Sequence, residues 1–134
     1  MQHFWHEIGY FGDMRSLALS TLALIGLFAL AAIGPKPVFE KRSQEFKDVK
    51  EGDILTFYYH FTNEGDQDFV IKGVHPTCGC TTPEWPKQAI KPGESGKIKV
   101  SFDSKGRIGY NAKGVNIHSN AGEINLVFEV YVIE

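Results

Sequence analysis

Cysteine is scarce in this chain: there are two, Cys78 and Cys80, separated by Gly79. No second cysteine or histidine cluster accompanies them, so a closed four-ligand zinc site lacks its ligands. A phosphate-cradling glycine loop, a dinucleotide fingerprint and a paired-carboxylate constellation are also missing, and nucleotide or carboxylate-pair chemistry has no basis. Nor is there a basic stripe. The formal net charge is −2 with both signs interspersed, which gives nucleic-acid binding no support. After Pro37 no stretch holds a helical period of useful length, and there is no internal repeat or low-complexity segment.

Long hydrophobic runs are absent with one exception. Leu17 to Ile33 carries no charged residue and, at roughly 17 residues, lies at the lower edge of a membrane span and just above a signal-peptide core. Arg15 precedes it, Ala29-Leu30-Ala31 forms a small-x-small site, and Pro35 and Pro37 end any helix. The run is expected to be a cleaved signal peptide or an anchor in the inner membrane, with a buried core helix as the third reading. Residues 1–13 hold Glu7 and Asp13 but no Lys or Arg, whereas Met14-Arg15-Ser16 is an ordinary signal-peptide start. The first segment is therefore expected to precede the true start or to form a short cytoplasmic tail. No cysteine follows the run, which excludes a lipid-modified N-terminal cysteine. The expected organisation is an extension plus signal or anchor over 1–34 and one domain over 35–134. That domain is placed in the periplasm or at the cell surface, an oxidising setting where paired cysteines tend to be joined.

The exported part reads as short strands punctuated by turns. Val38-Phe39 and Phe46 belong to a first extended stretch. Leu55, Phe57, Tyr59 and Phe61 alternate with Thr56, Tyr58, His60 and Thr62, the period of a half-buried strand. Asn63-Glu64-Gly65-Asp66 is a turn, and Phe69-Val70-Ile71 is expected as the partner strand. Lys91-Pro92-Gly93-Glu94 has the order of a type II turn. Ile98, Val100 and Phe102, then Val115 to Ile117, then Ile124, Leu126, Phe128, Val130 and Val132 complete the pattern. About seven strands in roughly 100 residues predict an all-β, Ig-like antiparallel β-sandwich, with a small barrel as runner-up.

Several motifs run in order: Phe61-Thr62-Asn63-Glu64-Gly65-Asp66, Ile71-Lys72-Gly73-Val74, Thr77-Cys78-Gly79-Cys80-Thr81, Pro83-Glu84-Trp85, Ile90 to Gly96, Phe102-Asp103-Ser104 and His118-Ser119-Asn120. Over about residues 38–132 the chain resembles the bacterial family called domain of unknown function 1573. The resemblance implies an exported protein with an Ig-like fold, similar to major sperm protein, pilus-chaperone and ciliary ASPM-SPD2-Hydin domains. It implies no activity. His75 lies outside that family's pattern.

The Cys78-Gly79-Cys80 loop admits three chemistries. An extended chain sets cysteines two apart about 6.6 Å from each other, the upper edge of disulfide reach. A turn shortens that distance, and Gly79 is expected to remove the steric bar to it. The resulting bridge is either a local clasp or a reducible redox centre. Alternatively Cys78, Cys80 and His75 bind a metal, copper being the candidate because thiolates favour Cu(I). Free thiols are the third reading. No orienting carboxylate adjoins His75, so hydrolytic nucleophile chemistry is set aside. Trp85 is either a binding anchor or a cap on the core, and His60 and His118 read as strand-surface residues. Asn63 and Asn120 each open a turn, with local side-chain to backbone bonding as their expected duty. The expected function is a non-enzymatic binding or scaffolding module of the cell envelope, with thiol–disulfide or Cu(I) handling as the alternative. Its partner is expected to be another envelope protein, met by the cysteine loop or by an edge strand. The membrane is a further partner if the hydrophobic run is retained.

Overall fold

The alternation of apolar and polar residues resolves into eight strands rather than seven. The computed structural model describes residues 34–134; the expected signal or anchor at 17–33 and the extension before it lie outside the described residues. The strands are β1 (Pro37–Phe39), β2 (Ser43–Lys50), β3 (Ile54–Asn63), β4 (Ile71–Pro76), β5 (Thr81–Glu84), β6 (Ser95–Asp103), β7 (Gly109–Ser119) and β8 (Gly122–Ile133). They form two four-stranded sheets, ordered β1-β3-β6-β5 and β2-β8-β7-β4. No helix occurs among the described residues.

Period-two patterning decides which side chains face inward. Phe57, Tyr59 and Phe61 of β3 and Ile98, Val100 and Phe102 of β6 meet Val115 and Ile117 of β7 and the even-numbered apolar residues 124–132 of β8. Phe128 is central, with its ring 5.0 Å from that of Phe57 and 5.7 Å from that of Phe102. Tyr59 crosses the core, and its hydroxyl donates to the Val127 carbonyl at 2.6 Å, so a buried phenol finds the partner that burial demands.

Three expectations are corrected here. The stretch holding Val38-Phe39 and Phe46 is two strands in opposite sheets. Phe39 packs on Phe61 at 5.1 Å, whereas Phe46 packs on Phe57 at 4.6 Å from the other side. Splitting the chain at residues 40–42 lets both rings enter the core. Second, Phe69-Val70-Ile71 does not pair with β3. Phe69 makes a lone bridge to Ile90, and Ile71 begins β4, which pairs with β7. The chain crosses between sheets here because buried Asn63 seizes the carbonyls of Gln67 and Ile90, which turns the backbone away from β3. Third, the sandwich is not purely antiparallel, since β2 runs parallel to β8. Strand β2, linked to β1 by residues 40–42 alone, joins the edge of the second sheet on the same side as β1.

Candidate functional site

Strands β4 and β5 are edge strands of opposite sheets, and the cysteine loop is the crossing between them. Cys78 and Cys80 are bonded to each other with Cα atoms 5.3 Å apart. The contraction from the extended spacing comes from a turn closed by Thr81 N–H on the Cys78 carbonyl at 3.3 Å. Both ends are pinned to neighbouring strands. Thr77 N–H donates to Gly114 O of β7 at 2.9 Å, and Gly114 N–H donates back to Thr77 Oγ1 at 3.0 Å. Asp103 N–H of β6 donates to the Cys80 carbonyl at 2.9 Å. Gly79 does not have the steric duty expected of it. Its φ lies outside the left-handed region, and nothing stands within 4 Å of where a Cβ would sit.

The two sulfurs are not equivalent. Cys80 is 7% exposed and belongs to the core, whereas Cys78 is half-buried at its margin. Thr81, 3% exposed, places its hydroxyl 3.4 Å from Cys78 Sγ and 3.7 Å from Cys80 Sγ. Nothing in the sequence marked Thr81 as a neighbour of both sulfurs.

The structure does not gather the other sequence candidates around this bridge. His75 is exposed on β4, the residue after inward-facing Val74, and its ring folds back over Gly73. Among the described residues no three His, Cys, Asp or Glu side chains converge as metal ligands. In the bridged form the sulfurs offer no thiolate. Trp85 is half-buried against the core, with Lys87 Nζ 3.0 Å from its ring centre, a cation–π contact. His60 is exposed, and His118 pairs across the β7–β8 hairpin with Glu123.

Most other motif residues are consumed by the fold. Asn63 and Ser104 are wholly buried. The Ser104 hydroxyl lies 2.8 Å from Lys50 O and 2.7 Å from Asp53 O, closing the 50–53 turn against β6. Ser119 Oγ donates to Gly122 O at 2.7 Å. Asn120 acts at long range, not locally: its Oδ1 accepts from Val70 N–H at 2.9 Å and its Nδ2 donates to Asp68 O at 2.8 Å. Gly93, at φ +81, takes the position that a type II turn reserves for glycine.

All four sheet edges are guarded against added strands. Strand β1 has three residues and starts with Pro37, and four-residue β5 contains Pro83. In β4, Thr77 N–H points to β7, so the alternate Pro76 faces outward where it removes a donor. Strand β2 has a register shift between Phe46 and Val49, with Asp48 at φ 57, and carries Glu45, Lys47, Asp48 and Lys50. What the β2-β8-β7-β4 sheet does expose is aromatic. Tyr110 and Tyr131 are register partners with ring centres 5.2 Å apart, 54% and 46% exposed, beside exposed Ile133. Partial desolvation, then the Glu129 carboxylate, raise the Tyr110 pKa.

Known structures share this architecture. A protein of unknown function from Porphyromonas gingivalis W83 aligns over 75% of this chain and 48% of its own, at 15% identity and TM-score 0.64. The ASH/PapD-like domain 7 of human CEP192 aligns over 74% and 86%, at 15% identity and TM-score 0.56. The secreted serine protease VesC from Vibrio cholerae aligns over 77% and 24%, at 13% identity and TM-score 0.55. The likeness is one of fold, and the chain spans about a quarter of the protease and about half of the Porphyromonas protein. No curated protein matches the chain. Residues 37–132, most of the chain, match the family described as protein of unknown function (DUF1573), and the chain belongs to that family.

Proposed function

We propose that this protein is a non-catalytic binding module of the cell envelope, working in the periplasm or at the cell surface and directed there by residues 17–33. The order β1-β3-β6-β5 opposite β8-β7-β4 follows the constant-type immunoglobulin arrangement, with β2 added beside β8. That order supports an Ig-like binding scaffold. The polar motif residues described above are spent on turns and crossings, and none converges on a reaction centre.

The observation that carries the reading is the exposed Tyr110–Tyr131 ladder with Ile133, beside guarded edges. Tyrosine offers a large apolar face and a polar tip, the composition of protein interfaces. With proline and bulges on the edges, the partner is met by side chains of the sheet face and not by strand addition. The partner is another envelope protein presenting an apolar patch of its own.

A photo-crosslinking residue at position 131 tests this in intact cells, with one at position 116 on the same face as control. A discrete protein adduct from position 131, lost on Tyr110→Arg and absent from position 116, is the expected result. Equal labelling at both positions, or none, would overturn it.

A further inference from the structure

We infer that the Cys78–Cys80 bridge is an exchangeable disulfide with a built-in direction: an incoming thiolate attacks Cys78 Sγ, and Cys80 leaves as the thiolate under the Thr81 hydroxyl. The inference is independent of the binding reading.

Access sets the direction. Cys78 sits half-buried at the surface while Cys80 is 7% exposed, and the space beside Gly79 is open. A thiolate approaching from solvent therefore meets Cys78 first. The displaced Cys80 thiolate forms in a place where burial disfavours charge, and the structure supplies one compensating donor there. The Thr81 hydroxyl is buried, and its hydrogen-bond partners are the two bridge sulfurs at 3.4 and 3.7 Å. A disulfide sulfur is a weak acceptor and a thiolate a strong one, so this hydrogen bond tightens as the bridge opens. The loop ends stay fixed throughout, by Thr77 on Gly114 and by Asp103 on Cys80, and these main-chain bonds do not depend on the bridge. The sulfurs consequently remain close enough to rejoin.

The chemistry balances with a thiol as the reductant. One thiolate forms a bond to Cys78 Sγ as the 78–80 bond breaks, and the electron pair of that bond stays on Cys80. A second thiolate then attacks the incoming thiol's sulfur and releases Cys78. Two thiols become one disulfide, and two electrons and two protons pass to the cysteine pair.

The test incubates the oxidised 134-residue chain with reduced glutathione and quenches with iodoacetamide. Peptide sequencing by mass spectrometry then locates each modification. Glutathione on Cys78 with carbamidomethyl on Cys80 is expected. The reverse pattern, an even split or no adduct would overturn the proposal. Thr81→Val and Thr81→Ser extend the test in a glutathione redox buffer. Loss of the hydroxyl should shift the equilibrium about tenfold toward the bridged form, while the serine stays within about twofold of the parent. Equal shifts in the two variants would remove Thr81 from the mechanism. The adduct mapping uses the unmodified chain and so does not depend on either variant folding.

Discussion

Asn63 reaches across the chain to Ile90: its Nδ2 donates to the Ile90 carbonyl at 2.9 Å, 27 residues away. The same nitrogen donates to Gln67 O at 2.7 Å, and Oδ1 accepts from Lys36 and Gly65 N–H at 3.1 Å each. The Asn63 carbonyl accepts from Gly93 N–H at 2.7 Å. One wholly buried residue thus joins the end of β3, the following turn, the Phe69–Ile90 bridge and, through its backbone, the 91–94 turn.

Asn63→Ala should therefore behave as a core lesion. It orphans the Gln67 carbonyl and the N–H groups of Lys36 and Gly65 and leaves the Ile90 carbonyl with the Phe69 N–H alone, and a loss of about 3 kcal/mol is expected. Urea unfolding measures it; a change below about 0.5 kcal/mol, the surface-substitution range, would show that water replaces the amide without cost.

Tyr59 controls part of the alkaline limb of stability. Burial raises its pKa above the ordinary 10.0, so the folded chain keeps its proton while the unfolded chain ionises. The contribution is fully present below about pH 10 and is lost as pH rises beyond it. Tyr59→Phe should cost about 1 kcal/mol at pH 7, by removing the hydrogen bond to Val127 O. Above pH 10 the variant should lose stability less steeply than the parent, by up to about 1.4 kcal/mol per pH unit. Parallel pH profiles of the two proteins would refute the assignment.

Two glycines should respond oppositely to alanine. A Cβ at Gly96 would stand 2.5 Å from Phe61 Cζ and 3.1 Å from two further ring atoms. That ring is wedged between Phe39 and Phe69, so Gly96→Ala should cost about 1–3 kcal/mol by overpacking. Gly79→Ala meets open space at an ordinary φ and should be neutral or stabilise by up to about 1 kcal/mol through the unfolded state. Thermal melts of the two variants make the comparison directly.

Removing the bridge should be mild. Cys78→Ser with Cys80→Ser opens a three-residue loop, for which loop-closure entropy gives about 1.5 kcal/mol. Pinning by Gly114 and Asp103 is untouched, so the sandwich should keep its β-type circular dichroism. A loss above about 4 kcal/mol would mean that the bridge organises the crossing itself.

The strands and their buried faces were legible because alternation is a local property. Phe57, Tyr59 and Phe61, like the even residues 124–132, had to face one side together whatever they packed against. The Pro92-Gly93 turn was legible for the same reason, since φ preferences belong to single residues. The cysteine pair, too, advertised itself by spacing. What was not legible was any duty with a distant partner. Asn120 reads as a turn-former, yet its side chain holds Asp68 and Val70 some 50 residues away. Thr81 reads as one more β-branched residue, yet it is the donor beside both sulfurs.

By itself the sequence determined a series of strands with alternating faces over residues 38–132, turning at Asn63 to Asp66, at Pro92-Gly93 and at Asn120, because backbone sterics and apolar periodicity act within a few residues. Only the tertiary structure decided that β1 and β2 part to opposite sheets, that β2 runs parallel to β8 and that the chain after Asn63 crosses over. It also decided that Cys80 is buried in the core while Cys78 stays half-buried at its margin. Pairing and burial are set by which distant surfaces close over a shared core, and no local pattern encodes that choice.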